Sequence, residues 1–109
     1  MNNTTWINAP AIGQGNTVIA LHGSVSTSAQ WRSLIGWLKG RFRIITPDLP
    51  GYGGTAHADD NQVPTLEEIA NALHPIIEAC GEPVHLVGHS FGGAVALKLA
   101  SMFPEKVRS

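Results

Sequence analysis

A single cysteine, Cys80, stands in a chain of 109 residues, so no internal disulfide can form. Its place at the end of an apolar helical stretch suits a small buried side chain better than a reactive thiol, and a reducing compartment is the simplest setting. Charge is scarce as well: charged residues make up 14% of the chain and the formal net charge is -1. That leaves no basic excess to neutralise phosphates, and the seven Lys and Arg residues are scattered between Arg32 and Arg108, which argues against a nucleic-acid partner. No apolar run approaches the roughly 20 residues needed to cross a bilayer, and Met1-Asn2-Asn3-Thr4-Thr5 has neither the basic n-region nor the apolar h-region of a secretory signal. A cytoplasmic protein without membrane contact is the expectation. Repeats, low-complexity tracts and linkers are missing too, so residues 1–109 are expected to belong to a single domain. Nucleotide signatures also fail: Gly51-Tyr52-Gly53-Gly54 lacks G-x-G-x-x-G spacing, and the stretch from Gly88 to Gly93 lacks the Lys-Ser/Thr of a phosphate-binding loop.

What the chain does have is enough apolar material for a core. Hydrophobic residues are 43% of the total, and a domain of this size buries roughly two-thirds of the surface its unfolded chain exposes, so a soluble globular fold is expected. Thr17-Val18-Ile19-Ala20-Leu21 is a short apolar run that follows Gly13, Gly15 and Asn16 and stops at His22-Gly23, the pattern of a buried strand. Continuous apolarity of this kind predicts a parallel sheet covered on both faces. Thr27 with Gln30 three residues on resembles a capping box, and Trp31, Leu34, Ile35 and Leu38 follow at helical spacing until Gly40. Residues 42–46 repeat the strand pattern, ended by Pro47-Asp48-Leu49-Pro50-Gly51, whose two prolines cannot donate ladder hydrogen bonds. Thr65 and Glu68 form a second capping box ahead of a helical face of Leu66, Ile69, Ala70, Leu73 and Ile77 that runs as far as Gly81. Pro75 is expected to kink that helix near His74. A third buried strand is predicted over 84–87, and the stretch 91–103, apolar except for Lys98 and Ser101, predicts a helix buried nearly all round. Pro104 ends it, and Val107-Arg108-Ser109 reads as the approach to a further strand. Strands alternating with helices give an α/β fold, a mostly parallel sheet with helices on both faces. Residues 6–8 are expected to add a short N-terminal strand.

The chemistry is concentrated at Gly88-His89-Ser90-Phe91-Gly92. A serine hydroxyl is a weak nucleophile unless a base takes its proton and donors stabilise the oxyanion its attack creates. A sharp strand-to-helix turn supplies that geometry. It exposes the hydroxyl at the carboxyl end of the sheet and aims the first N–H groups of the helix at the developing charge. Small residues must flank such a turn, and Gly88 and Gly92 occupy the two flanking positions of G-x-S-x-G, with Gly93 and Ala94 beside them. The pattern is short enough to recur by chance. Its place between a strand and an apolar helix is what favours a nucleophile over a serine that merely caps the helix.

Three segments in order, Leu21-His22-Gly23-Ser24, Asp48-Leu49-Pro50-Gly51-Tyr52-Gly53-Gly54-Thr55 and Gly88-His89-Ser90-Phe91-Gly92-Gly93, make residues 17–109 resemble the N-terminal part of a serine-nucleophile α/β-hydrolase-fold protein. The resemblance implies that Ser90 is the catalytic nucleophile and that the backbone N–H groups of Phe91 and Ser24 form the oxyanion hole, with Val25 as the alternative second donor. It implies that His22 and Gly23 support the oxyanion loop, a structural role preferred over a catalytic one for His22. The substrate it implies is a small ester or related acyl compound, hydrolysed through an acyl-enzyme on Ser90 with no metal and no organic cofactor. The same nucleophile serves acyltransferases, C–C bond hydrolases and cofactor-free haloperoxidase-like members of the fold. A serine argues against the dehalogenases and epoxide hydrolases, which use an Asp. A nonenzymatic binding protein that keeps the elbow is the rival of another class.

The partners of Ser90 are missing from the chain. On this fold the triad runs Ser, then Asp or Glu, then His, yet the only side-chain carboxylate after Ser90 is Glu105, and no histidine follows at all. His89 is expected to project away across the tight turn, His57 to sit in the polar loop 55–61, His85 within a strand and His74 ahead of Pro75; none makes a convincing base. Asp48 reads as ordering the turn after its strand, and Asp59 and Asp60 as solvated loop charges. Trp31 reads as core packing and Tyr52 as a surface loop residue. These residues are therefore expected to be the N-terminal part of one hydrolase domain, without its cap and C-terminal strands. Alone they should turn over negligibly and expose a strand edge that favours association. Substrate size and oligomeric state stay open.

Overall fold

The computed structural model describes residues 7–55 and 64–109. At its centre, β1 (Ala11–Gly13), β2 (Asn16–Leu21), β3 (Phe42–Ile45) and β4 (His85–Gly88) form one sheet in the order β1-β3-β2-β4. β2 lies parallel to both its neighbours, with Val18 beside Ile44 and His85, and Ile19 beside Ile45 and Leu86. Side chains along a strand alternate between faces. Ile19, Leu21 and Ile45 therefore share one face, where they join Ile69, Leu73 and Ile77 of α2 (Leu66–Ala79) and Val95 and Leu99 of α3 (Phe91–Met102) in the main core. Val18, Ala20 and Ile44 are buried on the other face, where α1 (Arg32–Leu38) meets β3. Burying an aliphatic side chain of this size stabilises by about 1.5–3 kcal/mol, and both faces of β2 collect that gain. The α/β class, a mostly parallel sheet with helices on both faces, is thus as the sequence predicts.

The N-terminal strand is displaced from its expected place. Trp6 lies outside the described residues, and the strand forms at Ala11–Gly13, antiparallel to β3, rather than at residues 6–8. Pro10, which has no N–H, interrupts the ladder, yet its carbonyl accepts from Thr46 N at 3.0 Å and the Asn8 carbonyl from Asp48 N at 2.8 Å. An edge strand is where a proline can be accommodated. The connection to β2 crosses the start of β3 so closely that a Cβ on Gly13 would lie 2.2 Å from the Phe42 carbonyl oxygen.

Four further expectations are corrected. Thr27 does cap a helical turn, but a 3-10 turn over Ser28–Trp31, with its hydroxyl accepting from Ala29 N; Gln30 is turned elsewhere, as described below. Trp31 is half-buried outside the main core, and its indole N–H is buried without a partner among the described residues. α3 is not buried all round: Gly92, Val95 and Leu99 are enclosed, while Leu97 is 75% exposed. One side of the helix packs on β2, β4 and α2, and no described element covers the other. β4 is half-buried rather than buried, and its outer edge is partly paired. Residues 106–109 run beside it with hydrogen bonds from Val84 N to Lys106 O, Arg108 N to Val84 O and Leu86 N to Ser109 O at 2.9, 2.7 and 2.8 Å.

The second capping box is present as predicted: Thr65 Oγ1 accepts from Glu68 N at 3.1 Å and Glu68 Oε1 from Thr65 N at 2.8 Å. Each bond satisfies an N–H that the first helical turn leaves without a partner. Thr65→Ala is expected to destabilise the protein by about 1 kcal/mol, read as a lowered midpoint in urea unfolding at unchanged slope. α2 continues through Pro75 to Ala79, and Gly81, at φ +77°, takes the left-handed conformation that follows the helix end.

Candidate active site

β4 ends at Gly88 and α3 begins at Phe91, which leaves two residues to reverse the chain. Ser90 makes the turn at φ 57° and ψ -118°, a conformation that costs an L-residue about 1–3 kcal/mol. The surroundings hold it there. His89 N donates to Leu21 O at 3.0 Å, Gly92 N to His89 O and Gly93 N to Ser90 O at 2.9 Å, and Ala94 N to Ser90 O at 3.2 Å. A Cβ at Gly88 would meet Gly92 O at 2.4 Å, and one at Gly92 would meet Leu21 O at 2.0 Å and His22 O at 2.5 Å. Both flanking positions of G-x-S-x-G are therefore fixed by backbone passing backbone, while a Cβ at Gly93 would make ordinary contacts starting at 3.6 Å. Ser90 itself is exposed.

The loop after β2 lies against this turn, since a Cβ at Gly23 would fall 2.7 Å from His89 Nδ1. His22 is fully buried. Its Nε2 accepts from Leu49 N at 2.9 Å and its Nδ1 faces Gly23 O at 2.7 Å. Because an N–H can only donate, Nε2 carries no proton, so Nδ1 carries it and donates to the Gly23 carbonyl. A trans peptide points its N–H opposite to its C=O, so holding Gly23 O also orients Ser24 N–H. None of the Phe91, Ser24 and Val25 N–H groups has a hydrogen bond to another described residue. Tyr52, expected on the surface, is half-buried and stands edge-on to His22 at 5.3 Å between ring centroids.

Asp48 does order its turn, and it does more. Oδ1 accepts from Ser28 N at 2.7 Å, and Oδ2 from Asn8 Nδ2 at 2.9 Å and Gly54 N at 3.1 Å, so one carboxylate ties three chain segments together. Burial works against its charge, but the Ser28 N–H, the Asn8 amide, the Gly54 N–H and the Ser28 hydroxyl outweigh it and hold the carboxyl below the ordinary aspartate value. Asn8 N in turn donates to Thr55 Oγ1 at 2.8 Å. Asn8, Thr55 and Gln30, whose Oε1 accepts from Gly23 N at 3.0 Å, are supporting residues that the sequence reading missed. For Gln30 the spacing from Thr27 was a false signal, and for Asn8 and Thr55 no local pattern exists.

The described histidines have partners of their own. His22 is engaged through both ring nitrogens, His74 pairs with Glu78 at 3.3 Å and stacks on Phe103, and His85 Nδ1 lies 2.7 Å from Ser109 Oγ. His89 rests against Gly23. His57, Asp59 and Asp60 lie outside the described residues. Beside Ser90 a groove of about 570 Å³ runs along the uncovered side of α3, lined largely by Leu86, Ala94, Leu97, Ala100 and Val107. It offers an apolar wall, with Ser90 and Ser109 as its polar side chains.

The model of the alpha/beta hydrolase family matches residues 18–109. A pimeloyl-[acyl-carrier protein] methyl ester esterase of Methylococcus capsulatus is 38% identical over 97 residues, covering 89% of this chain and 36% of that protein. A 2-hydroxy-6-oxo-2,4-heptadienoate hydrolase of Pseudomonas putida is 37% identical over 106 aligned positions, with coverage of 89% and 36%. Among solved structures, an epoxide hydrolase from Vigna radiata superposes with a TM-score of 0.88 at 30% identity, over 94% of this chain and 34% of that one. The chain thus spans about a third of the length of the relatives it matches. With a strand-serine-helix elbow, a His-Gly loop beside it and a family match over most of its length, this chain belongs to the alpha/beta hydrolase family.

Proposed function

We propose that Ser90 is the nucleophile of a hydrolase that acts on a carboxylic ester or related acyl compound. The observation that carries this reading is the left-handed Ser90, exposed at the head of α3 and flanked by two glycines whose places no side chain can take. Strain held by so many backbone bonds marks a position kept for chemistry. In the proposed reaction Ser90 Oγ attacks the acyl carbon as its proton passes to a base. The carbonyl oxygen becomes an oxyanion between Phe91 N–H and Ser24 N–H. The leaving alcohol departs with the proton, and water then cleaves the acyl-enzyme by the same steps. No histidine follows Ser90 among these 109 residues, so the chain alone lacks the triad's base and is expected to turn over negligibly.

The esterase relative supports an ester substrate. The almost equal identity to the heptadienoate hydrolase supports a second reading, in which the same serine cleaves an oxo acid. A serine at the elbow argues against the chemistry of the epoxide hydrolase neighbour, because a serine opening an epoxide would be left as an ether that water does not cleave, whereas a carboxylate forms an ester that water can hydrolyse. The test is labelling of the full-length protein with a fluorophosphonate, followed by peptide mapping. Modification at Ser90, abolished in Ser90→Ala, is the expected result; an active enzyme that labels elsewhere or not at all overturns the proposal. Comparison of p-nitrophenyl esters with a heptadienoate-type oxo acid separates the two substrate readings.

A further inference from the structure

We propose that Gln30 is a positioning residue for the Ser24 oxyanion donor, an inference that rests on the reading of Ser90 as an acyl-forming nucleophile. Two peptide units meet at Gly23. The first carries Gly23 N–H, which donates to Gln30 Oε1 at 3.0 Å; the second carries Gly23 C=O, which accepts from His22 Nδ1 at 2.7 Å, and with it Ser24 N–H. A glycine is the residue most free to rotate between two peptides, and here both are tied. If the first is released, only the His22 bond is left to resist rotation about Gly23, which turns the second peptide and Ser24 N–H with it.

The loop has reason to rotate. Val25, next in line, stands at φ 55° with its side chain 92% exposed. A β-branched residue is disfavoured in the left-handed region, and so exposed a side chain gains no packing to offset the cost. Hydrogen bonds on either side must therefore hold the conformation. Downstream, Ser28 N is fixed by Asp48 Oδ1 at 2.7 Å; upstream, the side-chain contact to the Gly23 N–H is that of Gln30. Gln30 belongs to the 3-10 turn Ser28–Trp31, which Thr27 caps and Asp48 anchors, so its amide reaches back seven residues from a fixed base.

The consequence differs from a general loss of stability. An oxyanion donor acts on charge that exists only in the transition state, so misplacing it lowers kcat and leaves ground-state binding nearly untouched. The test uses the full-length protein, with p-nitrophenyl acetate as substrate and a fluorophosphonate as covalent probe. Gln30→Leu, which lacks the acceptor, is expected to lower kcat about tenfold with KM changed by less than about twofold, to slow labelling of Ser90 by a similar factor, and to leave the thermal midpoint in place. Gln30→Glu, which keeps an oxygen within similar reach, restores kcat. Hydrogen exchange at Gly23 N–H quickens in Gln30→Leu and not in Gln30→Glu. An unchanged kcat in Gln30→Leu, or a loss that Gln30→Glu does not rescue, overturns the assignment. Wild-type protein that fails to label at Ser90 overturns the nucleophile reading instead; in that event quickened Gly23 exchange still supports the brace, and unchanged exchange overturns it.

Discussion

Gly92→Ala is expected to destabilise the protein by about 4 kcal/mol or more, a large share of the roughly 5–15 kcal/mol that holds a domain folded. The added methyl would sit 2.0 Å from Leu21 O and 2.5 Å from His22 O, and both are backbone atoms of the central strand and of the loop that carries Ser24. Neither can rotate away as a side-chain tip would. Relief requires α3 to withdraw from β2, which opens the core at Val95 and shifts Phe91 N–H at the head of the helix. Gly93→Ala is the matched control: its methyl meets nothing closer than 3.6 Å, and alanine is preferred to glycine inside a helix by up to about 1 kcal/mol. Urea unfolding should show a collapse for the first variant and an equal or higher midpoint for the second, with fluorophosphonate labelling following the same order. Equal stability of the two would show that the elbow tolerates separation of strand and helix.

That contrast shows what could be read without coordinates. Gly88 and Gly92 were legible because the motif records the turn itself: it brings Gly88 against Gly92 O within five residues and sets the start of the helix, at Gly92, against Leu21 O and His22 O of the neighbouring strand end and loop. β2 and β3 were legible for a similar reason, since Val18 to Leu21 and Ile44 to Ile45 are apolar at every position and only burial on both faces accounts for that. The misses depend on partners distant in sequence. Gln30 stands three residues from Thr27, the spacing of a capping box, but the Gly23 N–H that claims its oxygen is seven residues away across a loop. Asn8 contacts Asp48 across 40 residues, and no periodicity in the N-terminal segment announces it. α3 was overestimated because apolar composition was taken as burial: Leu97 is as hydrophobic as Leu99, yet one borders the open groove and the other the core. Composition records what a residue can bury, and only topology says whether something covers it.

Asp48 carries the other large expected effect. Asp48→Ala removes the acceptor from Ser28 N, Gly54 N and Asn8 Nδ2 at once. A donor left without a partner in a buried place costs about 1–3 kcal/mol, so a total of roughly 3–5 kcal/mol is expected, below the plain sum because Asn8 and Gly54 are near enough to the surface to find water. Asp48→Asn keeps one acceptor oxygen but sets an NH2 group against N–H donors, so it should recover only part of that. The same carboxylate gives the wild type an acid-sensitive stability. Its pKa in the folded state is lowered, so its contribution is complete above the unfolded-state value of about 3.9 and is lost as the pH falls through the lower folded-state value. Urea unfolding should therefore show wild-type stability declining below about pH 4, with the difference between wild type and Asp48→Asn narrowing over that range. A constant difference between pH 6 and pH 2.5 would mean that the three segments are held by packing rather than by the charge. The loss should also extend beyond stability. Ser28 N is the downstream anchor of the loop proposed to carry the oxyanion donor, so where Asp48→Asn still folds, kcat should fall further than KM rises, as expected for Gln30→Leu, because the two side chains hold opposite ends of one strained turn.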